Sequence, residues 1–175
     1  MDEDGRIKLI SNVINRGTLY TKTRGVLNAK GKYIMTLDHD NLYSTNYVFS
    51  KLYHYSEIYN LDLLGFAAIN TPVNISNIKE KNFLNYFETP IVMKPNIKRR
   101  FLAFIKSEKS MTYLFLYFIK TKLFLNIIKQ LGSEFINRNI DAHDDTILMF
   151  LLSRNALSLK HLKKYFILFY NARRL

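Results

Sequence analysis

Asp38 and Asp40 flank His39 directly after the apolar run Tyr33-Ile34-Met35-Thr36-Leu37. Two carboxylates one residue apart, just past a buried strand, can hold a hard divalent cation. Such a cation can bridge to a diphosphate and neutralise charge on a leaving group. The same residue types also make a plain turn, and His39 between them reads as a turn or packing residue. A second acidic pair, Asp144-Asp145, heads an apolar helical pattern that runs to about Asn155. Carboxylates there cap amides and complement the helix dipole. The chain has no cysteine, which excludes disulfides, thiolate zinc sites and cysteine nucleophiles.

The elements that must position these groups follow from periodicity. Arg6 to Ile10 alternates and is β-branched, which predicts a strand. Thr18 to Lys30 places Leu19, Thr23, Val26 and Leu27 on one helical face, with Gly31 in the position of a left-handed C-cap. Tyr33 to Leu37 is a continuous apolar strand of the kind buried in a parallel sheet. Thr45 to about Tyr59 is helical, and Leu61 to Ile69 reads as another strand. This β-α-β-α-β alternation implies an α/β layered domain with a mainly parallel sheet flanked by helices. Ligands in such sheets bind beyond the carboxyl ends of the strands, which is where Asp38 falls. Asn70 to about Pro95, punctuated by Pro72, Pro90 and Pro95, reads as a long loop. Met111 to Leu131 reads as two core-facing helices broken near Lys120-Thr121-Lys122, and Tyr165 to Tyr170 as a closing strand.

The 175 residues suffice for one domain, 1–175, and 48% hydrophobic residues supply its core. The balance of 26 basic against 14 acidic residues gives +12, which draws attention to nucleic acid. The basic residues are spread from Arg6 to Arg174, however, with short clusters only at Lys98-Arg99-Arg100, Lys160 to Lys164 and Arg173-Arg174. Short clusters of this kind are usually solvated surface, which argues against a nucleic-acid partner. The acidic start lacks the apolar segment of a signal peptide, and Lys120, Lys122 and Lys129 interrupt the most apolar stretch, so no transmembrane segment is expected. The cytosol is the default location.

Several of these residues fall together into a pattern. Asn15-Arg16-Gly17-Thr18, Gly25-Val26, Ala29-Lys30-Gly31-Lys32-Tyr33-Ile34 and Leu37-Asp38-His39-Asp40-Asn41 stand in one register. They resemble the family 2 glycosyltransferases of GT-A fold, whose signature is N-x-G, a helix ending in A-x-G-x-Y-I, a strand, and L-D-x-D. Leu114-Phe115-Leu116-Tyr117-Phe118-Ile119-Lys120 is similar to the family's L-W-x-K-L-I-K, with Phe115 in place of Trp and Tyr117 in place of Lys. Asp144-Asp145 resembles its E-D pair, and Lys164-Tyr165-Phe166 fits loosely.

The resemblance implies a GT-A-like fold and transfer of a sugar, with inversion, from a nucleotide-sugar donor (UDP-linked by expectation) to a hydroxyl acceptor. It assigns Asp38 and Asp40 to Mn²⁺ or Mg²⁺ and to the donor diphosphate. Lys22 stands where the family often has Arg facing donor phosphate, although it also reads as a solvated helix-face lysine. Asp145 becomes the carboxylate that takes the acceptor's proton. The family's opening strands and its D-D-G-S motif have no counterpart before Arg6, so the chain is expected to match the later two-thirds of the usual domain. The loss of those strands would leave an apolar sheet edge exposed. The competing reading is a non-catalytic basic module for nucleic acid or another polyanion. A continuous basic face away from Asp38 and Asp40 would favour it.

Overall fold

The computed structural model describes residues 5–39, 41–71, 83–84, 88–94, 96, 99, 113–140 and 142–170. Helix α1, Gly17–Asn28, buries Leu19, Thr23 and Val26, whereas Leu27 is exposed. Its start is made by Asn15, whose Oδ1 accepts from the Gly17 amide at 2.9 Å. Gly17 takes φ 80°, a left-handed conformation that favours glycine, and bridges to Ile140. The helix ends at Asn28 with extended Ala29 as its C-cap, so Gly31 is not the left-handed cap. A Cβ at Gly31 would instead lie 3.0 Å from the Tyr33 carbonyl oxygen, a tight contact that glycine avoids.

Strand β1 is short, Tyr33–Ile34, and only half-buried. Strand β2 is Asn41–Tyr43, helix α2 is Val48–Ile58, and strand β3 is Leu63–Thr71. Two short strands follow, β4 at Phe83–Leu84 and β5 at Val92–Met93. A 3₁₀ turn, Leu114–Leu116, leads into β6, Tyr117–Lys120, and then into helix α3, Thr121–Ile136. Helix α4 is Asp144–Asn155 and strand β7 is Ser158–Tyr170.

Among the described residues these strands form one sheet in the order β1-β6-β3-β7-β2, with β4 on β3 and β5 on β7. The layered α/β architecture agrees with the sequence, but the sheet is mixed. Only β3 and β7 run parallel among the described pairs, and the other ladders are antiparallel. Continuous apolar runs report burial on both faces and say nothing of the neighbour's direction, so the expected mainly parallel sheet is not found.

Two further expectations change. The segment from Met111 was expected to be helical on both sides of a break. The break does fall at Lys120, but Tyr117–Lys120 is a strand packed between β1 and β3. A short run such as Tyr117-Phe118-Ile119 suits the middle of a sheet as well as a buried helix. Arg6 to Ile10 is not a strand, and Ile7 and Leu9 are exposed, because no neighbour among the described residues pairs with their backbone. The Asn70–Pro95 expectation falls largely outside the described residues. No helix among the described residues is long and apolar enough to cross a membrane.

Leu63, Leu64, Phe66, Leu116, Tyr117, Phe124 and Leu148 are among the fully buried core side chains. Asp62 fastens one end of the sheet. Its carboxylate pairs with Lys120 at 3.0 Å and accepts from the Leu157 amide at 2.8 Å, while its carbonyl accepts from the Lys120 amide at 2.9 Å. Thr121 joins α3 to the entry of β1 through its hydroxyl, which donates to the Gly31 carbonyl at 2.6 Å. At the centre, β3 passes so close to β7 that a Cβ on Gly65 would lie 2.2 Å from His161 Cδ2. His161 is fully buried, with Tyr117 packed edge-on at 6.2 Å between ring centroids. Gly65→Ala is therefore expected to destabilise the fold by about 1–3 kcal/mol through overpacking. Chemical denaturation would measure this, and an unchanged midpoint would show that the ring can move aside.

Candidate active site

The register decides where the sequence-singled residues meet. β1 and β6 are antiparallel, with Ile34 opposite Ile119. The chain after Ile34 therefore leaves the sheet at the end where the Leu114–Leu116 turn enters it. It returns on the far edge at Asn41, opposite Phe169, which itself lies opposite Asn70 of β3. The Asp38 segment thus crosses the sheet end formed by the carboxyl ends of β1, β3 and β7. Asp38 is partly exposed there, and its carbonyl accepts from the Asn41 amide at 3.0 Å, closing a turn. Asp40 falls outside the described residues.

Asn41 is buried, yet neither its Nδ2 nor its Oδ1 has a hydrogen-bond partner among the described residues, and Thr36 Oγ1 shares that state. Buried polar groups are normally paired. Two such side chains, Thr36 and Asn41, lie within three residues of Asp38. Among the described residues no three carboxylate or imidazole groups form a metal cage. A site of one or two carboxylates completed by water and substrate phosphate needs no such cage.

Asp145 reaches the same end of the sheet by a different route. It lies in the first turn of α4, after His143, whose φ of 61° turns the chain into the helix. Asp145 Oδ2 accepts from the Leu114 amide at 2.9 Å, at the entrance to β6. Its Oδ1 accepts from Lys22 Nζ at 2.6 Å. Lys22 also stands 2.9 Å from Asp144 Oδ2, an ion pair that lacks the alignment of a hydrogen bond. All three side chains are mostly buried, at 19%, 10% and 18% exposure for Lys22, Asp144 and Asp145. The first-turn position of Asp145 also complements the helix dipole.

Burial pulls the Lys22 ammonium down, but the charge and hydrogen bond of Asp145, with the contact to Asp144, outweigh it. The group sits above its ordinary value of 10.5 and is charged at neutral pH. Sequence reasoning placed Lys22 toward donor phosphate, whereas the structure places it on the acidic pair. Lys22 and Asp145 are 123 residues apart, so no local pattern could have joined them. Phe115 and Tyr117, the two departures from L-W-x-K-L-I-K, are buried and line no cleft described. The clefts along α2 include neither Asp38 nor Asp145.

The model of glycosyl transferase family 2 matches residues 1–157. The chain belongs to that family. No functionally described protein matches it significantly in sequence. Solved structures share the fold of this family 2 chain. The crystal structure of S. aureus TarS 1–349 superposes with a TM-score of 0.59 at 13% identity, covering 89% of this chain and 41% of that one. Its complex with UDP-GlcNAc gives a TM-score of 0.61 at 11% identity, covering 94% and 41%. Its UDP complex gives 0.54 at 14% identity, covering 84% and 38%. The chain thus spans about two-fifths of the TarS chains it resembles.

A stability prediction follows from the Lys22 cluster. A lysine raised on folding contributes stability that is fully present below its unfolded value, near 10.5, and lost as pH climbs through the higher folded value. Lys22→Gln should cost about 1–3 kcal/mol at neutral pH, because it leaves two mostly buried carboxylates without their cation. The difference between wild type and variant should narrow above pH 10.5. Melting curves of both proteins across alkaline pH would check this, and a constant difference would remove the charge argument.

Proposed function

We propose that residues 1–175 form one glycosyltransferase domain, matching the later part of the usual family 2 domain. It would transfer a sugar with inversion from a nucleotide-sugar donor, UDP-linked, to a hydroxyl acceptor. The observation that carries this reading is that the register brings the Asp38 turn and the Asp145–Leu114 contact to one end of the sheet. The UDP-GlcNAc and UDP complexes of the TarS fold support the choice of donor.

Asp38 and Asp40 would hold Mn²⁺ or Mg²⁺. The unsatisfied amide of Asn41 and hydroxyl of Thr36 fit a turn whose hard oxygen ligands are completed by a bound ion and its phosphate. When bound, that ion would neutralise charge on the departing diphosphate. Asp145 would take the acceptor's hydroxyl proton while the acceptor oxygen bonds to the anomeric carbon and the bond from that carbon to the diphosphate breaks. Oδ2 stays on the Leu114 amide and orients the group, leaving Oδ1 for the proton.

Oδ1 is occupied by Lys22 in this state. The same lysine, drawn to the diphosphate when donor enters, would uncover the base. Its two assigned roles, donor contact and partner of Asp145, are thereby successive positions of one ammonium group.

The test has two arms. Titration calorimetry of UDP with MnCl₂ should show binding that weakens at least about tenfold in Asp38→Ala and in Asp40→Ala. Equal binding by either variant would remove that carboxylate from the site. Asp145→Asn should lower transfer from UDP-GlcNAc by about 10²–10⁴-fold while leaving UDP affinity nearly unchanged. Undiminished turnover in that variant would leave Asp145 as a helix cap only.

A further inference from the structure

A second site lies along α2, away from the Asp38 end. An open cleft of about 450 Å³ is lined by Ser44, Thr45, Lys51, His54, Tyr55, Lys163, Lys164 and Phe166. Such a volume suits a small ligand. Among the described lining residues there is no carboxylate, and Lys51 and Lys164 take part in no salt bridge with the described residues. Ser44 follows β2, whose other end, Asn41, is at the candidate active site. At about 3.3 Å per strand residue, that separates the two by roughly 10 Å along the edge strand.

The lysines reach this cleft by an irregularity in the sheet. Consecutive residues of a regular strand point to opposite faces, so Lys163 and Lys164 should diverge. In β7 the pairing with β3 slips: Gly65 lies opposite His161 and Ala67 opposite Tyr165. Phe66 alone therefore faces Leu162, Lys163 and Lys164, and this bulge turns both lysines into one cleft. Bulges occur at sheet edges and beside sites, where they re-aim side chains.

Across the cleft, Lys51, His54 and Tyr55 fall three and four residues apart on one face of α2. Lys164 is held in place: its Nζ donates to the Tyr55 hydroxyl at 2.6 Å and lies 5.1 Å from the ring centroid. Holding the ammonium groups of Lys51 and Lys164 in one cleft costs repulsion that an anion would relieve. The hydroxyls of Ser44 and Thr45 add uncharged polar groups beside them.

We propose that this cleft binds a phosphate-bearing anion, independently of the donor site. Ammonium groups serve phosphate as movable point charges, and a bounded cleft on a chain with otherwise dispersed basic residues fits a compact anion better than a nucleic-acid strand.

The experiment is a titration of the chain with inorganic pyrophosphate in EDTA, which keeps the carboxylate turn from contributing through a metal. A parallel arm uses sedimentation with phosphatidylcholine vesicles, with and without phosphatidylglycerol. Saturable pyrophosphate binding should weaken about tenfold or more in Lys51→Gln/Lys164→Gln, and salt should weaken it in wild type. It should persist in Lys51→Arg/Lys164→Arg, in Asp38→Ala and in Lys129→Gln, an exposed control on α3. Pyrophosphate binding alone assigns a soluble phosphate ligand. Vesicle binding that requires phosphatidylglycerol and the same two lysines assigns a lipid headgroup. Binding in neither arm, or equal affinity in the double Gln variant with its thermal melt intact, would overturn the proposal. So would tighter binding to a DNA oligonucleotide that Lys129→Gln weakens equally.

Discussion

Strands β3 and β7 run parallel side by side, and every other described strand is joined to one of them directly or, for β1, through β6. β4 and β6 attach to β3, β1 hangs from β6, and β2 and β5 attach to β7. The two central strands are brought together across most of the chain, with Leu63 opposite Leu159. That closure is entropically costly and is supported by buried apolar residues on both partners, among them Leu64, Phe66, Ile167 and Leu159. The pairing is tight enough that Gly65 leaves the space His161 occupies. It is also irregular enough to open the cleft beside α2. A single constraint thus fixes the core and sets the exceptions to it.

The polar side of the molecule is organised by where carboxylates are buried. Asp62 at one end of the sheet is satisfied by Lys120 and by the amide of Leu157. At the other end Asp144 and Asp145 share Lys22, and Asp145 also takes a backbone donor. The first arrangement is closed, with each Asp62 oxygen matched to a donor. The second shares one ammonium between two acids, and Asn41 and Thr36, close in sequence to Asp38, have no partner among the described residues. An incomplete polar network is expensive in a fold that has no use for it. The two ends thus differ in how their buried carboxylates are paired, and the proposed transfer draws on the second.

Much of this was legible in the residues. Leu19, Thr23 and Val26 named the buried face of α1, and the apolar pattern after Asp144 named α4. The motif from Asn15 to Asn41 named the family. Strand direction was not legible, since Phe118 and Ile119 are buried whichever way β6 runs. Leu27 kept helical spacing yet faces solvent, because α1 ends one turn before Gly31 and frees its last residues. The place of Lys22 was hidden for a different reason: its partners lie on another helix, and only the packing of α1 against α4 decides between phosphate and carboxylate.

That packing returns to the N-x-G motif. Asn15 and Gly17 were read as part of a signature, and the structure gives them a mechanical task. Asn15 Oδ1 holds the Gly17 amide, and the left-handed Gly17 lays the start of α1 against Ile140. The Leu19 amide and the Thr18 hydroxyl then donate to the Ile140 carbonyl at 3.4 and 3.2 Å. Ile140 immediately precedes the turn through His143 that opens α4 with Asp144 and Asp145. Lys22 stands little more than one helical turn beyond Gly17, so the contact at Ile140 fixes its height relative to the acidic pair. The motif touches none of the candidate chemical groups, yet it sets the distance between two of them.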